Sequence, residues 1–402
     1  MLATLDQDEV MGLLKEGLHN LAVEIGRLVA AGLLEDEVEQ LCGRRYEHRP
    51  QWRVATRHGG QRVLAGQKVP IDRPRVRHTG GGEATLGVYR LLQNPENLGG
   101  TVLRRIVHGV STRNYEQVVE RTRRSFGVKR SSVSRHYVRV MADRIREFCE
   151  RRWDGVRFAA IMIDGKSFAR ETMIAVLGVT GTGGKHMLGL RQGATENAQV
   201  GKELLESLRE RGVRTDVPTL FVLDGAKALR AAVKSVWGDN ALVQRCQIHK
   251  QRNVKEHLAK GYWPELSRRL GEAYGETDYD RALALLKKAA VWLEGINPDA
   301  AASLREGMEE TLTVVRLGVH GKLRKTLSST NVIESAFSVV EQATGRVKRW
   351  RSGDMRWRWC VAGLLHAEQH FHRVDGYRHI AALLAALDRA VLQAEVDEAG
   401  KV

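Results

Sequence analysis

Two short apolar runs limit the fold more than any other part of the chain: "FAAIMID" at 158–164 and "TLFVLD" at 219–224, each closed by an aspartate with glycine directly after it. A continuous apolar run of this length suits a buried central strand. Burying a lone carboxylate costs several kcal/mol unless a charge or a metal compensates it, so neither Asp164 nor Asp224 is expected to be both fully buried and unpaired. Two such strand ends point to one shared site.

The neighbouring segments give the order of elements. "TMIAVLGVTG" and "KHMLGLRQG" read as two more strands joined by the turn "GTGG", followed by a helix, "NAQVGKELLESLRERG", that stops at Gly212. After the strand "TLFVLD" come a helix, "AKALRAAVKSVWG", and a further strand, "ALVQRCQIH". Three strands, helix, strand, helix, strand describes an α/β fold: a mixed sheet flanked by helices, in which the first and fourth strands lie side by side and set Asp164 beside Asp224. Residues 253–325 then show helical apolar spacing ("RALALLKKAAVWLEGI"), as an inserted helical block would, and only helices are expected from 328 on.

Upstream, residues 1–42 carry helix-period Leu, Ile and Val, with Gly32 as a possible stop, and read as a helical pair that packs on the chain or on a second copy. Residues 43–82 contain "VPIDRPRVRHTGGG" and read as a short strand or an extended basic segment with a linker. In 113–146 the pattern is a helix, a short turn at Gly127, and a second, basic helix with Ser131 or Ser132 as N-cap. That matches a helix-turn-helix, which would present Lys129, Arg130, Ser134, Arg135 and Arg139 to DNA; an ordinary helical hairpin with a charged solvated face is the alternative. The expected divisions are 1–82 (dimerisation and DNA contacts), 83–150 (helix-turn-helix), 151–252 (first part of the sheet domain), 253–325 (helical insertion) and 326–402 (second part, with C-terminal helices).

Charge sharpens the choice of partner. Lys and Arg number 64 against 48 Asp and Glu, a formal +16, and the excess is clustered: ten against two in 43–77, twelve against three in 104–146, six against one in 345–360. Clustering argues for a footprint on a polyanion, and nucleic acid is the leading candidate. Cys42, Cys149, Cys246 and Cys360 lie too far apart to form a disulfide framework, which fits a reducing compartment. The opening "MLATLDQDEV" lacks a signal pattern, and no run approaches the roughly 18 apolar residues of a membrane span, so a cytoplasmic protein with no membrane partner is expected.

Paired carboxylates make a hard, oxygen-rich site suited to Mg²⁺ or Mn²⁺, and two such ions can clamp an in-line phosphoryl displacement. A third acid is available in "SSTNVIESAF", where Ser329 or Thr330 can cap a helix, Glu334 sits in its first turn, and Asn331 lies on the same face. Taken singly, Glu334 reads as a complement to the helix dipole and each aspartate as a turn residue before glycine. Cys246 and His249 have the spacing of half a zinc site, but tetrahedral zinc wants four ligands and no second pair lies near; His249 reaching a phosphate over a packed Cys246 and a satisfied core pair both remain open. In "GRVKRWRSGDMRWRWC", Arg346, Lys348 and Arg349 precede Trp350, a candidate for stacking on an unpaired base, while Trp359 has the spacing of a core residue.

The stretches "MIDGKSF", "AVLGV", "LGLRQGATEN", "RGV", "FVLDGAKAL", "VQRCQIHKQRNV" and "TNVIESAF" together resemble the mutator-type transposases of bacterial insertion sequences. The resemblance runs from about 160 to 340, with a looser match over 83–150. It implies an RNase H-like core, with Asp164, Asp224 and Glu334 as a metal-binding catalytic triad and Cys246 and His249 as the family's Cys-x-x-His signature. It also implies a dimer acting on double-stranded DNA, at the element's terminal inverted repeats and at target DNA, in the bacterial cytoplasm and on the nucleoid when bound. A DNA-binding regulator built on an inactive RNase H-like scaffold, and a general RNase H-like nuclease, are the alternatives.

Overall fold

The computed structural model describes residues 7–43, 51–64, 67–92, 130–168, 171–193, 197–345, 347, 349–350 and 353–399. The chain divides into two compact units, Met1–Arg144 with Ala343–Lys348, and Ile145–Gln342 with Arg349–Val402.

In the first unit, helix α1 (Gln7–Cys42) is continuous, so the expected stop at Gly32 does not occur. An added Cβ there would meet nothing within 4 Å, and a single exposed glycine costs a helix only about 1 kcal/mol relative to alanine. The basic segment is a long antiparallel hairpin rather than a short strand: β1 (Trp52–Leu64) pairs with β2 (Gln67–His78) from Trp52 opposite His78 to Leu64 opposite Gln67, with one irregularity between Val54 and Thr56. Ala30, Leu34 and Val38 of α1 bury against Ile71 and Val76 of β2 and against Leu86 and Tyr89. Helix α2 (Gly87–Leu92) is tied to α1 by the Glu37 carboxylate, which accepts the N–H groups of Gly87 and Val88 at 2.5 and 3.0 Å.

Helix α3 (Arg130–Glu150) contains the division between the units. Ser131 and Ser132 lie inside it, so neither is its N-cap. The turn expected at Gly127 and the helix before it fall outside the described residues.

The second unit is built on five strands: β3 (Phe158–Phe168), β4 (Glu171–Thr180), β5 (Lys185–Gln192), β6 (Thr219–Leu223) and β7 (Ala241–Arg245). Their order is β5-β4-β3-β6-β7, with β3–β4 and β4–β5 antiparallel and β3–β6 and β6–β7 parallel. The two apolar runs are thus the central pair, as their unbroken hydrophobicity requires. Ile161, Ile163, Ile174, Val176, Phe221 and Leu223 pack with α4 (Ala198–Glu210) and α5 (Lys227–Trp237) through Leu204, Leu205, Leu208, Leu229, Val233 and Trp237. Ala160, Met162, Leu220 and Val222, which alternate with them, are equally buried. Helix α4 begins where the Asn197 side chain accepts the N–H groups of Gln199 and Val200, and the chain leaves it at Gly212, φ +90°.

Between β7 and the last helices lies an all-helical block: α6 (Gln247–Glu256), α7 (Trp263–Gly275), α8 (Tyr279–Glu294), α9 (Pro298–Arg305), α10 (Thr313–Arg316) and α11 (Gly321–Leu327). It is latched to the exposed edge of the sheet by buried polar bonds. Gln244 donates to Thr311 O at 2.9 Å and accepts the Val314 N–H at 2.9 Å, and Thr313 Oγ1 donates to Val243 O at 2.6 Å. Lys250 is fully buried, its ammonium donating to Ser303 O and Glu306 O at 2.6 Å each, at the end of α9. The Thr313 bond occupies a backbone acceptor that the edge strand would otherwise leave open to another chain, and the Gln244 and Lys250 bonds satisfy buried side chains. Helices α12 (Asn331–Thr344), α13 (Gly353–Gln369) and α14 (Ile380–Ala399) complete the chain, and α14 packs on β3 and β6.

Candidate active site

Asp164 does not end its strand, because β3 runs on through Gly165 to Phe168 against β4, with Asp164 opposite Ala175. The parallel pairing with β6 stops at Ile163 opposite Leu223, so Asp164 and Asp224 are the next residues on two adjacent strands. There the chains part. Gly225, at φ +107°, turns the chain toward α5, and Asp224 Oδ1 accepts the Ala226 N–H at 2.9 Å. An added Cβ at Gly225 would stand 2.3 Å from Arg245 Nε, in a backbone region that L side chains avoid. Gly225→Ala is therefore expected to lower stability by about 2 kcal/mol or more in urea unfolding, and to move Asp224 out of register; a variant as stable as wild type would show that the turn has slack.

Strand β7 is shorter than its sequence suggests. The Cys246 N–H donates to Leu223 O at 2.7 Å, and Cys246 O already accepts the Lys250 N–H at 3.0 Å, so Cys246 closes the sheet and opens α6 in one residue. His249 consequently sits in the first turn of a helix whose start abuts the end of β6. On the other side, Thr330 O accepts the N–H groups of Ile333 and Glu334 at 2.9 and 3.1 Å, starting α12. The Thr330 hydroxyl faces the site: 3.7 Å from Cys246 Sγ and 3.4 Å from His249 Nδ1.

Three ligand atoms converge, one each from Asp164, His249 and Glu334, all within 4.8 Å of one another. Glu334 Oε1 lies 3.8 Å from His249 Nε2 and 3.7 Å from Arg252 Nη1. It is buried with no hydrogen-bond partner. Asp164 is 5% exposed, and burial pushes its carboxyl up to about 6 against the lowering pull of His249 and a Thr330 hydrogen bond, with Asp224 and Glu334 raising it further. His249 is raised to about 9, first by its hydrogen bond to Cys246 and then by the charges of Cys246, Asp164 and Glu334, against desolvation. Burial pushes the Cys246 thiol up, but the hydrogen bonds and charge of His249 more than offset it and leave it below the ordinary thiol value. The imidazole thus stands between the Asp164 and Glu334 carboxylates, both of which favour its protonated form. Two carboxylate oxygens, one of them the orphaned Glu334 Oε1, and an imidazole make a donor set that fits a divalent cation.

Asn331, first residue of α12, is exposed. Arg139 on α3 and Arg349 are also exposed. Trp350 is half-buried, its ring edge-on to Phe168 with centroids 5.1 Å apart, which leaves less of it for stacking than its polar neighbourhood suggested. Trp359 is a core residue, 8% exposed. Lys129, Arg346 and Lys348 lie outside the described residues, as do the side chains of Arg130, Ser134 and Arg135. Sequence reasoning passed over Thr330 as more than a cap, and passed over Arg252, although Arg252 follows His249 by three residues on the same helix and so had to share its face.

The model of the family "Transposase, Mutator family" matches residues 3–353, and the chain belongs to that family. It is 26% identical over 370 residues to the transposase for insertion sequence element ISRM5 of Rhizobium meliloti (strain 1021), covering 89% of each chain. Over 351 residues it is 24% identical to the transposase for insertion sequence element IS256 in transposon Tn4001 of Staphylococcus aureus, covering 82% of this chain and 86% of the relative. A third relative, the transposase for insertion sequence element IS1201 of Lactobacillus helveticus, is 23% identical over 354 residues, with 85% and 90% covered. Among the described residues no helix is long and apolar enough to cross a membrane.

Proposed function

We propose that this chain is an Asp-Asp-Glu transposase that cuts and rejoins DNA at the terminal inverted repeats of its own insertion sequence. The observation that carries the reading is the convergence of Asp164, Glu334 and His249 on an unpartnered carboxylate oxygen, with Asp224 in register beside Asp164. The sheet order, with an antiparallel trio followed by two parallel strands, supports an RNase H-like core running from 151 to 252 and resuming at 326, with 253–325 as its helical insertion.

Asp164, Asp224 and Glu334 would hold two Mg²⁺ or Mn²⁺ ions, which would supply Lewis acidity to the phosphate and favour ionisation of the attacking oxygen. The protein's own part is placement. A water oxygen forms its bond to phosphorus as the bond to the 3′ oxygen breaks; the water's proton leaves to solvent and the 3′ oxygen takes one up as a free hydroxyl. That hydroxyl then attacks a target phosphodiester, losing its proton to solvent as the target strand's own 3′ oxygen leaves and is protonated, and no covalent protein–DNA intermediate is needed. His249, held by Thr330 and Cys246, faces the centre, where its ring is suited to orient the phosphate. Helix α3 would serve as the second helix of a helix-turn-helix, with Lys129, Arg130, Ser134, Arg135 and Arg139 contacting the repeat, and Arg346, Lys348, Arg349 and Trp350 would be further DNA contacts. A homodimer acting in the bacterial cytoplasm, one protomer per element end, completes the reading, with 1–82 contributing to dimerisation.

The test is labelled DNA ending in the element's repeat, incubated with and without Mg²⁺ beside Asp224→Asn. Metal-dependent cutting at the repeat boundary, lost in the variant while binding is kept, is the expected result. Binding without cutting by the wild type would make the chain a regulator, and cutting that ignores the repeat would make it a general nuclease.

A further inference from the structure

His249 and Arg252 lie one turn apart on α6 and both point at a single atom, Glu334 Oε1, from 3.8 and 3.7 Å. Neither distance is a hydrogen bond, and the oxygen is buried without one. The two cations differ in how they are held. The His249 ring is half-buried and within reach of the Thr330 hydroxyl, whereas the Arg252 side chain is 54% exposed at the mouth of the site, on a long and flexible stem. Arg252 is therefore the charge that can move.

The ion pair and the ligand role of Glu334 compete. A divalent cation bound at Oε1 would be repelled by a guanidinium held 3.7 Å from the same oxygen, the more strongly for the half-buried setting. The guanidinium must then leave Glu334. A scissile phosphate drawn to the same centre offers non-bridging oxygens that match the planar, paired N–H donors of arginine. We propose that Arg252 is a catalytic residue: it neutralises Glu334 while the site holds no cation and passes to a non-bridging oxygen of the scissile phosphate when DNA and a divalent ion are bound. It gives and takes no proton, and stabilises charge that grows on the phosphoryl oxygens as the bond to the 3′ oxygen breaks. The inference rests on the transposase reading above.

Two measurements on the full chain test it, with Arg252→Gln and Arg252→Lys. In single-turnover cutting of labelled repeat DNA at saturating protein and Mn²⁺, the glutamine variant should be slower by about 100-fold or more, the scale for losing one preorganised donor at a transition state, with DNA affinity changed little. Lysine, which keeps the charge and loses the fork, should recover about tenfold of that. In calorimetric titration with Mn²⁺ and no DNA, the glutamine variant should bind several-fold more tightly than wild type, because the competing cation is gone. A glutamine variant that cuts at the wild-type rate, or whose defect vanishes at higher protein concentration, overturns the catalytic role. Weaker Mn²⁺ binding by that variant would make Arg252 a prop for Glu334 and overturn the exchange. A wild-type chain that cuts no repeat DNA defeats the transposase reading and the catalytic role together, and the Mn²⁺ comparison then decides the competition at Glu334 by itself.

Discussion

Asp164→Asn is expected to abolish metal-dependent DNA cutting, by at least about 10³-fold, and to make the metal-free protein more stable than wild type. The two effects share a cause. Asp164 is 5% exposed, and burial holds its carboxyl at about 6 instead of the usual 3.8, so the ionised form that would bind a cation is disfavoured by about 2 pH units, or about 3 kcal/mol. The folded protein keeps that proton up to about pH 6, whereas the unfolded chain loses it near 3.8. Wild-type stability should therefore fall as pH rises from about 4 to about 6, and the penalty is complete above that window. Asparagine carries no such penalty but forfeits the attraction to His249, so a net gain of about 1–3 kcal/mol, several degrees of melting temperature, is expected in EDTA at pH 7.5 and little or none at pH 4. Melts at the two pH values read the difference directly. A variant that is less stable at pH 7.5, or equally shifted at both, would show that Asp164 is stabilised where it sits. His249 acts in the same direction at higher pH: raised from 6.5 to about 9, it contributes stability that is full below 6.5 and lost as pH climbs through 9.

The second large effect is structural and lies at Lys250. Its buried ammonium satisfies two carbonyls at the end of α9, and the residue directly before it in α6 is His249. Lys250→Ala is expected to destabilise the chain by about 3–5 kcal/mol, since it strands two buried acceptors and opens a cavity. Lys250→Met, which keeps the apolar stem and removes the donor, separates the two contributions and should recover about 1–2 kcal/mol of the loss. Because α6 carries both His249 and Arg252, either variant should also cut more slowly at temperatures where it is still folded. Denaturant unfolding and cleavage rates on the same preparations would check this; an alanine variant within 1 kcal/mol of wild type would mean that water replaces the ammonium.

Much of the second unit was legible in sequence because its signals are local. Unbroken apolar runs marked the central strands, the tight "GTGG" marked the β4–β5 turn, and helix-period spacing marked the inserted block. What escaped has non-local causes. The "ALVQRCQIH" run looks like a strand through His249, but the Lys250 N–H finds Cys246 O and the chain coils, a choice made by the helices that cover β7. Gly32 looked like a stop, yet α1 continues because nothing crowds it and the residues around it bury against the hairpin. The hairpin was hidden by two prolines, Pro70 and Pro74, which argue against a strand in general but are tolerated in a two-stranded ribbon with free edges. Residue types pointed to Asp164, Asp224 and Glu334 as candidates, whereas the approach of Thr330 and Arg252 to His249 and Glu334 depends on where α6 and α12 begin.

The helical block also sets a clock. Synthesis runs from the N-terminus at about 5–20 residues per second, so the sheet bearing Asp164 and Asp224 is finished at Arg245 while Glu334, 89 residues later, is still roughly 4–18 s from being made. During that interval the growing chain has its strands but only part of its ligand set. A product that stops inside the block holds Asp164 and Asp224, and beyond α6 also His249, but not Glu334. Of the three groups that converge, the Glu334 carboxylate is made last, after the scaffold that holds the other two.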